Sequence, residues 1–157
     1  MRIGIGYDIH RFGSGRTLVL GGVVLPGETG LAGHSDADVV LHALIDALLG
    51  AAALGDIGTH FPADAAEWKD ADSSLLLEKT LVLVRDSAYA VENVDITVIA
   101  EKPRLAPHVA AMRARIAELM GVSEAAVSVK ATTNEGVGEI GRGEAIAAVS
   151  VALLRDA

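Results

Sequence analysis

The sequence lacks cysteine, has few aromatic residues and carries a negative net charge. None of its 157 residues is cysteine, 3% are aromatic, and the formal charge at pH 7 is −8. Without thiols the chain forms neither a disulfide nor a thiolate metal site, so histidine and carboxylate side chains are the metal ligands to look for. General binding of nucleic acid requires a basic face. We therefore expect no nucleic-acid partner.

A long apolar run is also missing. The longest, residues 43–54, is interrupted by Asp46 and Gly50, and a spanning helix needs roughly 18–20 apolar residues. The opening residues, MRIGIGYDIH, contain no apolar segment behind a basic one, as a secretory signal would. We therefore expect a cytoplasmic protein without membrane contact. Hydrophobic residues make up 51% of the chain, which favours one globular domain over residues 1–157 with an aliphatic core.

The pattern of apolar residues predicts helices and strands in alternation. Strands are predicted at 2–9, 94–100, 127–133 and 145–154, and a hairpin joins 17–20 to 23–25 through Gly21 and Gly22, closed by Pro26. Helices are predicted at 36–54 after a Ser35 or Asp36 cap, at 73–88 after an Asp72 or Ser73 cap, and at 107–121. Irregular segments are predicted at 27–36, 55–72 and 134–143. This order predicts an α+β fold, a two-layer sandwich in which helices cover one face of a mixed β-sheet, with a small hairpin near the N-terminus.

Three residues predict a divalent-metal site. Asp8 and His10 are two residues apart on a strand, so both side chains lie on one face. His42 lies in an otherwise apolar helix, four residues from Asp38 and from Asp46. A buried histidine that is hydrogen-bonded to one aspartate would also account for these polar residues in the helix. Two histidines and one carboxylate, however, are a usual ligand set for catalytic zinc with an open position, with a nearby carboxylate holding the second nitrogen of His42.

Other polar segments fit a phosphate ligand. His34 and Ser35 precede a helix N-terminus, where phosphate binds readily. Thr132 to Glu135 follow a strand and enter a glycine-rich loop, and Arg142 is flanked by glycines. Each segment alone is typical of a cap or a turn. Together with the metal residues they indicate an enzyme acting on a phosphorylated compound.

The motifs in their order resemble one enzyme family over nearly the whole chain. They are GYDIHRF, LGGVVLP, GHSDADVVLHALIDALLGAAALGDIG, NVDITVIAEKPRLAPH, VKATTNEGVG and GRGE. The family is that of the 2-C-methyl-D-erythritol 2,4-cyclodiphosphate synthases of non-mevalonate isoprenoid biosynthesis. The resemblance implies a lyase-type phosphoryl transfer within 4-diphosphocytidyl-2-C-methyl-D-erythritol 2-phosphate, which releases CMP and leaves the cyclic diphosphate.

The resemblance also implies a role for each matching residue. Asp8, His10 and His42 would bind Zn²⁺, Glu135 a second ion, Mg²⁺ or Mn²⁺, and His34 and Thr133 would stabilise the transition state. The substrate would be bound by Ser35, Asp56, Gly58, Phe61, Asp64, Ala100, Lys102, Pro103, Arg104, Leu105, Ala106, Ala131, Thr132, Asn134 and Arg142. A homotrimer with active sites between subunits is expected. The apolar helix at 36–54 and the strand at 145–154, apolar on both faces, agree with an assembly that covers them.

Two departures from the family pattern affect the site. Ala63 and Ala65 stand where the family usually has acidic side chains, so only backbone contacts are expected there. Glu139 occupies a position that is often apolar and is linked to a cavity on the trimer axis.

Two other functions remain open at this level. A zinc phosphohydrolase lacks a clear general base beside the metal residues. A non-catalytic trimer with a structural metal lacks a fourth ligand, because His60 and His108 lie in a loop and at a helix start.

Overall fold

The computed structural model describes residues 1–157, which form one mixed five-stranded sheet with helices. The strands are β1 (Arg2–Leu20), β2 (Val23–Leu31), β3 (Tyr89–Ile99), β4 (Val127–Thr132) and β5 (Ala145–Asp156), in the sheet order β2-β1-β5-β3-β4. The helices are α1 (Val39–Ala52), α2 (Ile57–His60), α3 (Ser73–Asp86), α4 (Val109–Met120) and α5 (Gly138–Gly141). Only β3 and β4 pair in parallel. The predicted α+β class with a mixed sheet is confirmed.

Helix α1 lies directly on β1 because two glycines leave room for it. A methyl group on Gly4 would lie 2.5 Å from the Ala51 nitrogen, and one on Gly6 would lie 2.7 Å from the Ala47 nitrogen. Both positions therefore exclude any side chain. Asp8 and His10 follow on the same strand face, beyond the point where the helix covers it. The close packing brings the end of this face next to His42 on α1.

The core is aliphatic and centres on α1. Eleven of the fourteen residues of α1 are buried, and they belong to a cluster of 35 buried hydrophobic residues contributed by the sheet and by α3 and α4. The chain thus covers this helix by itself, and the prediction that an assembly is needed to cover it is wrong. None of the helices is both long and apolar enough to span a membrane.

The opposite face of the sheet is apolar and exposed at β1. Ile3, Ile5, Tyr7 and Ile9 are 71%, 70%, 54% and 42% exposed. Their cross-strand partners on β5 are Leu153, Val151, Val149 and Ala147. Helices therefore cover one face of the sheet, and we call the strip formed by these exposed β1 residues and their less exposed β5 partners the outer apolar face.

Several predicted boundaries are wrong. Strand β2 extends over residues 27–31, which were predicted as loop, and Pro26 lies inside it rather than closing the hairpin. Strand β1 is continuous over residues 10–16, for which no element was predicted. Helix α1 begins at Val39, because the buried Asp38 carboxylate accepts hydrogen bonds from the backbone N–H groups of Val40 and Leu41, as an N-cap does. The predicted Ser35 or Asp36 cap is therefore wrong, whereas the Asp72 cap of α3 is confirmed.

Shorter helices were missed or misplaced. The segments predicted to be irregular at 55–72 and 134–143 contain α2 and α5. Helix α4 begins at Val109 after a 3-10 turn over Ala106–His108, two residues beyond the predicted start at Pro107. The predicted positions of β4 and β5 are confirmed, with β5 reaching two residues further.

Candidate active site

Asp8, His10 and His42, the three residues predicted as metal ligands, meet at the edge of a cavity. Asp8 Oδ2 lies 2.8 Å from His10 Nε2 and 3.0 Å from His42 Nδ1, and the two nitrogens are 3.2 Å apart. These three atoms form the one group of possible metal-ligating atoms in the structure. In a tetrahedral zinc site with bonds of about 2.0–2.1 Å, ligand atoms are about 3.3 Å apart. The donor set and its spacing therefore fit a zinc ion.

The remaining ring nitrogens of the two histidines are also held. His10 Nδ1 donates to the carbonyl oxygen of Ala32 at 2.9 Å, which leaves the lone pair of its Nε2 directed at Asp8. His42 Nε2 lies 3.1 Å from Ser35 Oγ and 2.9 Å from Ser73 Oγ. The prediction that a carboxylate contacts this nitrogen is wrong, since two hydroxyl groups do so.

The aspartates flanking His42 have other roles. Asp38 is fully buried, and its carboxylate accepts hydrogen bonds from Gly21 and Gly22 at 2.9 and 2.7 Å as well as from the helix start. Asp46 accepts the backbone N–H of Ile57 at 2.7 Å. These carboxylates fix the hairpin turn and α2 relative to α1 rather than orienting the histidine ring.

The electrostatics of the cluster favour a positive charge between its members. Burial opposes ionisation of Asp8, but hydrogen bonds and charges from His10 and His42 outweigh it and hold the pKa of Asp8 well below its usual range. Burial also lowers the pKa of His10, yet the hydrogen bond and charge of Asp8 raise it overall. Both shifts describe a proton held between Asp8 and the histidine nitrogens. A metal ion bound there would replace that proton and accept the lone pairs of the two nitrogens instead.

A cavity of about 240 Å³ opens beside the cluster. Of the residues predicted to act here, His34, Ser35, Gly58 and Phe61 line it together with the metal residues. Ala63, where only backbone contacts were expected, also lines it. Three further lining residues, Ile57, Trp68 and Leu76, were not predicted. Trp68 could have been suspected, because it is the only tryptophan of the chain and lies in a long segment predicted to be irregular. Besides the metal residues, five hydrophobic residues line the cavity.

His34 is anchored by the backbone of the unusual 63–65 segment. Its Nε2 donates to the carbonyl oxygen of Ala65 at 3.1 Å, so this contact does not depend on the side chain at 65. Asp64 does not line the cavity. Asp56 caps α2 through Thr59, and these hydrogen bonds lower the pKa of Asp56; it does not line the cavity either.

A second cavity, of about 280 Å³, lies at the ends of β3 and β4. It is lined by Ala100, Glu101, Pro103, Arg104, Leu105, Ala106, Ala131, Thr132 and Thr133. All of these except Glu101 were predicted as substrate-binding or catalytic residues. Lys102 lies elsewhere, in a separate cavity with Phe12 and Glu28. Parallel pairing of β3 and β4 brings the two lining segments together.

Glu101 connects the two loops of this second cavity. Its Oε1 accepts the backbone N–H groups of Asn134 at 3.0 Å and Gly136 at 3.1 Å. Within the loop so held, Thr133 Oγ1 donates to Glu135 Oε1 at 2.8 Å. One signal for Glu101 was available in the sequence, an acidic residue directly after the strand predicted at 94–100.

Arg142 is paired within its own segment. Its Nε lies 2.6 Å from Glu144 Oε1, and an Nη nitrogen lies 3.5 Å from Glu139 Oε1. These contacts raise the pKa of Arg142. Arg142 lines neither of the two cavities, so its predicted role in binding phosphate stays a prediction.

Known proteins match this chain over its whole length. The profile of the YgbB family matches residues 1–155. The 2-C-methyl-D-erythritol 2,4-cyclodiphosphate synthase of Salinibacter ruber is 57% identical over 157 residues, which cover 100% of both chains.

Solved structures agree with the sequence matches. The bifunctional IspDF of Campylobacter jejuni superposes with a TM-score of 0.96 at 42% identity, over 99% of this chain and 42% of that longer one. A 2C-methyl-D-erythritol-2,4-cyclodiphosphate synthase in a CDP-bound form superposes with a TM-score of 0.90 at 34% identity, over 98% of this chain and 100% of that one. This chain therefore belongs to the YgbB family, that of the 2-C-methyl-D-erythritol 2,4-cyclodiphosphate synthases.

Proposed function

We propose that this chain, as one domain over residues 1–157, converts 4-diphosphocytidyl-2-C-methyl-D-erythritol 2-phosphate to 2-C-methyl-D-erythritol 2,4-cyclodiphosphate and CMP. The observation that carries the proposal is the cluster of Asp8, His10 and His42 at a cavity, in a chain that matches named synthases over its full length. The activity is that of a phosphorus–oxygen lyase in non-mevalonate isoprenoid synthesis.

The reaction needs positioning and charge stabilisation rather than an enzyme nucleophile. An oxygen of the 2-phosphate forms a bond to the β-phosphorus of the same molecule. The bond from that phosphorus to the oxygen bridging it to the cytidine phosphate breaks, and CMP leaves with that oxygen. No water and no external nucleophile enter the product. Holding two reacting groups of one molecule in contact removes much of the entropic barrier.

Two ions and two side chains would supply the charge stabilisation. Zn²⁺ fits Asp8, His10 and His42, and when bound it would polarise a phosphoryl oxygen. Glu135 offers the oxygen donor that Mg²⁺ or Mn²⁺ prefers. His34 is held with its Nδ1 free for the ligand, because its Nε2 donates to Ala65. Thr133 is placed by its hydrogen bond to Glu135, and both side chains would contact the reacting phosphates.

The second cavity would bind the cytidine diphosphate. It is lined largely by small or apolar residues with backbone groups at two strand ends, which suits recognition of a base edge by fixed N–H and C=O groups. A related synthase has been solved with CDP bound. We assign the base to residues 100–106 and the diphosphate to residues 131–135. Asp56, Asp64, Lys102 and Arg142 line neither cavity, so their contacts with the substrate stay predictions.

Assembly into a homotrimer would bring complete sites together. The outer apolar face exposes several large side chains in a row, and monomeric proteins rarely leave such a patch open. No residue lines both the metal cavity and the nucleotide cavity. Three chains packed by their outer apolar faces would bury the patch and could set the nucleotide cavity of one subunit beside the metal cavity of the next. The cytoplasmic location stays a prediction.

Phosphorus NMR tests the reaction directly. The purified protein is incubated with the diphosphocytidyl substrate, Zn²⁺ and Mg²⁺, and the products are followed over time. We expect the two coupled resonances of a cyclic diphosphate together with one equivalent of CMP. A metal-dependent phosphohydrolase would instead release orthophosphate, and that outcome would replace the proposal by the hydrolase alternative.

A further inference from the structure

A partly buried chain of hydrogen bonds runs from His42 to a carboxylate on another segment. Ser73, the first residue of α3, is fully buried, and its Oγ lies 2.9 Å from His42 Nε2. The same hydroxyl donates to Asp36 Oδ1. Asp36 and Ser73 lie 37 positions apart in the sequence and meet only in the fold. Neither residue lies in the metal cluster, and neither was predicted to act in the site.

The direction of each hydrogen bond follows from the donors that surround Asp36. Its Oδ2 accepts the backbone N–H of Ser73 at 3.1 Å, and its Oδ1 accepts that of Asp38 at 3.2 Å. Both oxygens therefore act as acceptors, and the hydroxyl of Ser73 donates its single proton to Asp36. Ser73 Oγ can then only accept from His42, so Nε2 of His42 carries the proton.

This arrangement selects one tautomer of His42. With the proton on Nε2, the lone pair of Nδ1 is directed at Asp8 Oδ2 and His10 Nε2, which are 3.0 and 3.2 Å away. His10 presents a lone pair in the same way, since its Nδ1 donates to the Ala32 carbonyl. The opposite tautomer of His42 would place a proton where the metal binds.

We infer that Asp36 and Ser73 are positioning residues that keep His42 in the metal-binding tautomer, through a carboxylate–hydroxyl–imidazole relay. The inference rests on the proposed function for the identity of the metal. The same arrangement also determines which groups the Ser35 hydroxyl can bind. Its hydroxyl lies 3.1 Å from His42 Nε2 and accepts the N–H of Ala37, and because Nε2 is protonated, the Ser35 proton is free to point into the cavity that Ser35 lines.

Zinc affinity measured by competition with a chromophoric chelator tests the relay. Ser73→Ala removes the nearer of the two hydroxyl acceptors of His42 Nε2–H and its only link to Asp36, leaving Ser35 Oγ at 3.1 Å. Loss of such an outer partner typically weakens metal binding about 10- to 100-fold. Ser74→Ala is the matched control, because Ser74 is the buried neighbour of Ser73 and the hydrogen bonds of His42 Nε2 go to Ser35 and Ser73 instead. We expect the control to bind zinc as the unchanged protein does, and Ser73→Thr, which keeps the hydroxyl, to restore most of the affinity lost in Ser73→Ala.

Asp36→Asn tests the carboxylate end. Its two oxygens accept from different groups of Ser73, so an amide must turn its NH₂ toward one of these donors. We expect a loss of zinc affinity like that of Ser73→Ala, and no additional loss in the double variant, because both changes break one relay. An affinity of Ser73→Ala within twofold of the Ser74→Ala control, or fully additive losses in the double variant, would overturn the relay.

Histidine nitrogen NMR on the zinc-loaded protein provides the structural readout. Long-range proton–nitrogen spectra should show His42 protonated at Nε2, with the proton exchanging slowly in the unchanged protein and faster in Ser73→Ala. A proton on Nδ1 would refute the inference. These measurements do not use turnover, so absence of the cyclic product in the phosphorus assay would count against the proposed function alone.

Discussion

Replacing Gly6 by alanine should separate α1 from β1 and disturb the metal site at the same time. A methyl group at Gly6 would lie 2.7 Å from the Ala47 nitrogen and closer still to the Ala43 carbonyl oxygen. Ordinary contact begins at 3.4 Å, so the helix must move away by more than about 0.7 Å. Overpacking of this kind costs about 1–3 kcal/mol, and backbone is less able to yield than a side chain.

The displacement also bears on catalysis. Asp8 lies on β1 and His42 on α1, so a shift between these elements lengthens the 3.0 Å separation of Asp8 Oδ2 and His42 Nδ1. A misplacement of about 1 Å can lower a catalytic rate by about 100-fold. We therefore expect Gly6→Ala to lose both stability and zinc affinity, with activity falling further than stability alone explains.

Gly50→Ala is the matched control for this experiment. Gly50 lies on the same helix, and a methyl group there would be 4.0 Å from the Ile5 carbonyl oxygen. Alanine in place of a helical glycine stabilises by about 0.5–1 kcal/mol. Urea denaturation at fixed protein concentration and metal analysis of both variants provide the comparison. Gly6→Ala with unchanged stability and zinc content would refute the close packing on which the site depends.

Three further predictions follow from other parts of the structure. Glu101→Ala should weaken CMP binding, measured by calorimetry, by about tenfold or more, because two backbone N–H groups lose a charged acceptor worth over about 1.4 kcal/mol. Zinc content should not change, and an unaltered CMP affinity would contradict the role of Glu101. Ile5→Lys should place a charge on the outer apolar face and yield monomers in sedimentation that still bind zinc; intact trimers would exclude this face as the interface. Burial raises the pKa of Asp38 to about 6 despite its N–H donors. Between about pH 4 and 6 the folded chain therefore holds a proton that the unfolded chain has released. The stability that this proton contributes should be lost as the pH rises through 6. Asp38→Asn should flatten the slope of unfolding free energy between pH 4 and 6, and an equally steep slope in that variant would disprove the assignment.

Patterns within one element predicted most of the fold. The apolar period and the Asp72 cap predicted α3, and alternation predicted β4 and β5. Boundaries failed where long-range contacts decide them. Strand β1 continues through Gly13 and Gly15 because it pairs with β2 on both sides of them, Phe12 with Leu31 and Thr17 with Thr29. Helix α1 begins at Val39 because Asp38 also binds the hairpin turn. Neither β2 nor the hairpin turn is part of the local segment whose boundary it determines, so patterns within that segment do not reveal the boundary.

The candidate site also combines residues that local sequence patterns predicted with contacts that only the fold creates. Asp8 and His10 could be joined by their spacing on one strand, and His42 stood out as a histidine in an apolar helix. The partners of His42 were predicted wrongly, because helical spacing points to Asp38 and Asp46, whereas Ser73 reaches the ring from a different helix. Glu101 was missed for the same reason, since its contacts with Asn134 and Gly136 cross from one strand end to another.

The metal content of purified protein tests the central claim most directly, namely that Asp8, His10 and His42 form the metal site. Zinc is determined by plasma mass spectrometry in the unchanged protein, in His42→Ala, and in His60→Ala as a histidine control. His60 donates to the Leu54 carbonyl oxygen and lies outside the metal cluster. We expect one zinc per chain in the unchanged protein and in His60→Ala, and none retained in a folded His42→Ala. A full equivalent of zinc in His42→Ala would contradict the account.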